Sequence, residues 1–230
     1  LMALYLSQNL IADLSPLELP RFLTTLHLNE NKIQNIEHLK LPPGLQSLFL
    51  QSNCIEDVSK LELPDSVTTL HLSNNFIQDI SGLKLPEGLR IVLLDNNQVE
   101  DVSKLELPQS ITTLSLSRNQ IVQAALSLPP ALTRFYMSFN KLEDVSQLEL
   151  PPALAWLDLS NNRLTDVSQF VLPKSLTKLF LNNNQIEDLS QIQLPPNLSH
   201  LNVHNNMISD LSEVKAPQPR MLAQINLRGN

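Results

Sequence analysis

At 230 residues, with 42% apolar side chains but only seven Phe, two Tyr and one Trp, the chain is built for an aliphatic core. A formal charge of −7 provides no basic stripe for nonspecific nucleic-acid or acidic-membrane binding. The single cysteine, Cys54, excludes an intrachain disulfide and leans the chain towards a reducing, cytoplasmic compartment, and no signal-peptide pattern or apolar run of membrane-spanning length is present.

From Leu1 onward the sequence repeats itself with a period of 22 residues. Units begin near Leu1, Leu23, Leu45, Val67, Leu89, Ile111, Leu132, Leu154, Leu176, Leu198 and Leu222. Each has about seven apolar positions, as at Val67, Leu70, Leu72, Ile77, Ile80, Leu83 and Leu85. Burying those is worth on the order of 10 to 20 kcal/mol, and ordering the unit's backbone costs at least as much. One unit therefore cannot stand alone, and the chain reads as a single elongated stack over residues 1–230 in which neighbours cover each other. Leu1 opens a repeat and Asn230 stops in mid-repeat, so the expectation is a piece of a longer protein lacking both caps.

Repeats one and two are regular, except that Asn35 and Glu37 stand in repeat two where Asp and Ser are usual. Repeats three to five follow the template. Repeat six is one residue short and its QIVQAALSLPPA lacks the Asp-x-Ser element, so a local change of twist is expected there. Repeats seven to nine return to pattern, and repeat ten carries two extra residues around Pro217 and Pro219. Within a unit, L-x-x-L-x-L alternates with period two and predicts a short strand of a parallel sheet. The Asp-x-Ser that follows, as at Asp57 and Ser59, predicts a turn or 3₁₀ segment capped by the Asp oxygen. A proline such as Pro64, Pro86, Pro108 or Pro151 then ends the extended back.

One asparagine recurs after each strand: Asn9, Asn31, Asn53, Asn75, Asn97, Asn119, Asn140, Asn162, Asn184, Asn206 and finally Asn230. An amide carries both donors and an acceptor, so a column of them, one per rung, can bridge its own turn and the next. These segments, for example LTTLHLNENKI and LTKLFLNNNQI, resemble leucine-rich repeats, and the N-x-I-x-D-[IV]-S-x-L form is similar to the internalin class. The L-P-x-x-L junction departs from the internalin pattern and is similar to repeats of bacterial effectors and of proteins with kinase domains. The resemblance implies an α/β-class leucine-rich-repeat solenoid: a curved horseshoe with a concave parallel sheet of about eleven short strands and little or no α-helix. It also implies a partner-binding concave face formed by positions three, five, seven and eight of each unit.

Positions three and five hold five of the ten aromatic residues and three of the five histidines. Repeats seven to nine carry the sharpest cluster: Arg134, Tyr136, Trp156, Asp158, Lys178 and Phe180. Rungs about 4.8 Å apart place Trp156 between Arg134 and Lys178 at cation–π distance. A second strip is Tyr5, His27, Phe49 and His71. Either strip serves a protein partner, or its rings shield the sheet and each other.

Catalysis and metal binding are not expected. His27 and His71 lie two rungs apart with Phe49 between them, and Asp158 and His200 are also two rungs apart. Asp57, Asp79, Asp101, Asp144, Asp166, Asp188 and Asp210 could form a calcium ladder, but a capping role explains them with fewer assumptions. Four glycines make no phosphate cradle, and no cofactor is implied. The readings are a noncatalytic protein-binding module, a sensing or docking region of a multidomain enzyme such as a protein kinase, or a scaffold.

Overall fold

A computed structural model describes residues 1–209 and 224–230. It contains eleven three-residue strands: β1 Ala3–Tyr5, β2 Thr25–His27, β3 Ser47–Phe49, β4 Thr69–His71, β5 Ile91–Leu93, β6 Thr113–Ser115, β7 Arg134–Tyr136, β8 Trp156–Asp158, β9 Lys178–Phe180, β10 His200–Asn202 and β11 Gln224–Asn226. They form one parallel sheet in sequence order. Equivalent repeat positions pair on adjacent rungs, as in Leu48 with Leu70 and Trp156 with Lys178. The expected solenoid is observed, and the described residues contain no α-helix.

Alternation decides which side chains enter. The middle residue of each strand from β2 to β10 is buried, and its flankers are mostly half-buried on the concave face. The aliphatic side chains of the back segments, among them Ile77, Ile80 and Leu83, close the core from the other side. Instead of a 3₁₀ run, the backs carry isolated turns: Leu61 N–H donates to Val58 O, and Val67 N–H to Pro64 O. The second turn recurs at every L-P junction from Pro20 to Pro195. Proline thus fixes the first residue of the turn that re-enters the sheet, besides withholding a donor.

The amides form the ladder, directed towards the preceding rung rather than the following one. Asn97 Oδ1 accepts from Ile77 N–H at 3.1 Å, and its Nδ2 donates to Leu72 O at 3.1 Å and to its own turn at Leu94 O, 3.0 Å. The pattern holds from Asn31 through Asn53, Asn75, Asn119, Asn140, Asn162 and Asn184 to Asn206, all buried. Asn9 is exposed and bonds only to Leu6 O and Ser7 O of its own turn. The reason is directional: its oxygen would serve a rung ahead of it.

Repeat six absorbs its missing residue on the back. Register is unbroken from Thr113–Arg134 to Ser115–Tyr136, while Leu126 N–H bonds to Ala124 O and Gln123 bridges Asp144. Pro217, Pro219 and Asp210 lie outside the described residues.

Candidate functional site

The strand flankers make two aromatic runs on the concave face. Tyr5 stacks on His27 at 4.7 Å between ring centroids, His27 on Phe49 at 4.3 Å, and Phe49 meets His71 edge-on at 6.3 Å. Phe49 therefore separates the two imidazoles. Burial lowers the His71 pKa from its ordinary value, with the Asp95 carboxylate opposing that effect. Among the described residues no group of three His, Cys, Asp or Glu is placed to hold a metal.

On repeats seven to nine, the Trp156 ring lies 5.9 Å from Tyr136 and 5.6 Å from Phe180, stacked on the latter. Lys178 Nζ sits 4.1 Å above the indole. Arg134 does not share this contact: its side chain is exposed, and the Tyr136 ring occupies that flank of the indole. Burial also raises the Tyr136 phenol pKa. Asp158 turns along its own strand, accepting from Ser160 N–H at 3.0 Å and Ser160 Oγ at 2.7 Å. The indole Nε1–H of Trp156 is buried and has no hydrogen-bond partner.

The flankers are not uniformly open. Ser115 is buried, because its hydroxyl is bonded to Asp95, which also accepts from Ser73 Oγ and Ser117 N–H. His200 Nδ1 is held by Ser199 Oγ at 2.9 Å, and His204 Nδ1 by Asn202 Oδ1 at 2.7 Å. Asn197 Nδ2 donates to Lys174 O.

Position eight adds residues the strand columns omit. The residue before every ladder asparagine from Asn9 to Asn206 is left-handed, with φ between 53° and 58°. Asparagine fills the position at Asn74, Asn96, Asn161, Asn183 and Asn205, as its short polar side chain allows. Arg118 and Phe139 occupy it in repeats six and seven, with the guanidinium carbon 4.0 Å above the Phe139 ring. Asparagine is also absent at Gln8, Glu30 and Ser52, so what sets repeats six and seven apart in the sequence is a cation followed by an aromatic ring at this position.

The back is polar and self-contained. Asp57, Asp79, Asp101, Asp144, Asp166 and Asp188, with Asp13, each accept the backbone N–H of the serine two residues on. That bond lowers the pKa of Asp13, Asp57, Asp79, Asp101, Asp144 and Asp166. Asn35 Oδ1 does the same for Glu37 N–H. Cys54 is half-buried after Asn53.

A parallel stack of short strands joined by an inward amide ladder defines a class of solenoid. Residues 43–85, 65–107, 152–195 and 174–216, together more than half of the chain, match the leucine-rich repeats family model, and the chain belongs to the leucine-rich repeat family. No curated protein matches it in sequence. Among solved structures, it is similar to YopM from Yersinia enterocolitica WA-314 at 28% identity and TM-score 0.77, covering 99% of this chain and 50% of that one. The functional domain of InlJ from Listeria monocytogenes shares the fold at 23% identity and TM-score 0.63, covering 99% and 53%. So does a chain of the octameric complex of latrophilin 3, Unc5D and FLRT2, the last marked as its leucine-rich-repeat part, at 23% and 0.69, covering 83% and 63%. The chain spans about half the length of YopM and InlJ.

Proposed function

We propose that the chain is a noncatalytic protein-binding module that receives its partner on the concave face of repeats seven to nine. The observation that carries this reading is the Tyr136–Trp156–Phe180 run, with Lys178 over the indole, on the open side of the sheet. Large rings with a cation at the centre of a face are the usual anchors of a protein interface. Leucine-rich repeats also sit in an assembly of several proteins in the case of FLRT2. Against catalysis, His200 and His204 are engaged with their strand neighbours and Asp158 with Ser160, so among the described residues no acid, base and nucleophile converge there. Docking for a larger enzyme such as a protein kinase would use the same face.

Selection of a displayed random-peptide library on the wild-type chain and on the Tyr136→Ala/Trp156→Ala variant tests the reading. Ligands enriched by the wild type and lost on the variant support it. Ligands indifferent to the change contradict it and favour a shielding or scaffold role for the rings.

A further inference from the structure

The charge on this face runs opposite to that of the whole chain. The protein carries −7, yet positions three, five, seven and eight of repeats six to nine hold Arg118, Arg134 and Lys178 against one acid, Asp158. That acid is committed to Ser160. The one ion pair among the described residues is Arg163 with Glu143, at 3.7 Å and away from these columns, so Arg118, Arg134 and Lys178 form no ion pair, and the acids nearest them on this face are Asp158 and, on repeat five, Asp95, which is bonded to Ser115 and Ser117. The acids of the same repeats, among them Glu143, Asp144, Asp166 and Asp188, lie in the turns and the back. Two of the three cations lie on rings, Arg118 on Phe139 and Lys178 on Trp156. Arg118 and Phe139 hold left-handed backbones that asparagine would adopt more readily, so the pair is kept despite a local cost.

Resting on the concave-face reading above, we propose that repeats six to nine dock an acidic, extended protein segment crossing the strands. Arg134 and Lys178 arise two rungs apart, about 9.6 Å, and both side chains are long; carboxylates four residues apart share one face of an extended chain, roughly 13 Å from each other and within that combined reach, and the residue midway between them is on the same face. An apolar side chain between them packs on Tyr136, Trp156 and Phe180. An acceptor from the incoming chain satisfies the unpartnered indole N–H as Lys178 is drawn off the ring. Single-stranded nucleic acid also combines anionic charge with stacking, but the protein's overall −7 opposes a polyanion of that charge density.

The test is fluorescence anisotropy of the whole chain with three fluorescein-labelled probes: the peptide Asp-Ser-Asp-Ser-Phe-Ser-Asp-Ser-Asp, its Asn-for-Asp counterpart, and an oligothymidine. The expected result is binding of the acidic peptide alone, weakened by added NaCl and weakened about tenfold or more by Arg134→Gln/Lys178→Gln and by Trp156→Ala. Equal binding of the neutral peptide, lost in Trp156→Ala but not in the charge variant, overturns the acidic assignment and leaves the concave reading standing. Acidic-peptide binding insensitive to both variants overturns the two together. Preference for oligothymidine, or no binding of any probe, also overturns the proposal. Circular dichroism of each variant confirms that the fold is intact.

Discussion

Lys178 and Trp156 occupy paired positions on adjacent rungs, and the lysine ammonium lies 4.1 Å above the centre of the indole ring. The contact links a structural ladder to a surface, because strand register alone brings the two side chains together. Trp156 is the one tryptophan of the chain, so its emission reports the pair directly. Lys178→Met is expected to shift that emission and to lower stability by about 0.5 to 1 kcal/mol in urea unfolding, the range for an exposed cation–π contact. An unchanged spectrum would mean that the ammonium spends its time in water.

The amide ladder predicts a gradient of cost along the stack. Asn97→Ala leaves the buried Ile77 N–H without a partner and removes one of the two donors at Leu72 O and at Leu94 O, which Asn75 and Asn119 still serve; at roughly 1 to 3 kcal/mol for the stranded N–H and about 0.5 to 1.5 kcal/mol for each further bond lost, a loss of about 2 kcal/mol or more is expected. Asn9→Ala, exposed and bonded only within its own turn, is expected to cost less than about 1 kcal/mol. Parallel urea titrations of the two variants measure the difference, and equal costs would remove the ladder's inter-rung role.

Phe139 gives a prediction of opposite sign. A left-handed backbone costs a bulky residue roughly 1 to 2 kcal/mol, while losing the Arg118 contact forfeits about 0.5 to 1 kcal/mol. Phe139→Asn should therefore stabilise the chain by roughly 0.5 to 1 kcal/mol, with the thermal midpoint as readout. A destabilised variant would show that the ring is packed for stability after all.

The repeat frame was legible because its causes are periodic. Leu26, Leu48 and Leu70 are buried for the reason the alternation of their strands states, and Asn75 is inward because the turn after each strand needs an amide. Asp57 caps its own turn as its spacing to Ser59 indicates. What escaped depends on side-chain reach between rungs. Both cations flanking Trp156 sit within reach in the sequence columns, yet only Lys178 folds over the ring, since Tyr136 takes the other flank. Ser115 reads as an open concave residue until Asp95, position seven of the preceding repeat, bonds its hydroxyl. Likewise the left-handed position at Arg118 and Phe139 shows in the sequence only as a cation followed by an aromatic ring.

Acid affects two sets of groups. The His71 pKa is lowered by burial, so below its ordinary 6.5 the unfolded chain takes up a proton that the folded chain resists, and stability declines as pH falls from there through the folded value. His71→Phe should flatten that stretch of a thermal-midpoint profile. The capping carboxylates have folded pKa values below their ordinary 3.8, so their contribution is present above that pH and is lost as pH falls through the lowered values. Asp101→Asn should remove its share of the acid dependence while keeping the turn, as Asn35 does in repeat two.

Photocrosslinking tests the docking surface most directly. A benzophenone side chain placed at Phe180, on the concave run beside Trp156, is compared with one at Val171, which is 83% exposed on the back of repeat eight. Protein adducts that form from position 180 and not from position 171, and that disappear when Trp156→Ala is added, are the expected result. Adducts formed equally from both positions, or only from the back, would contradict a concave docking surface.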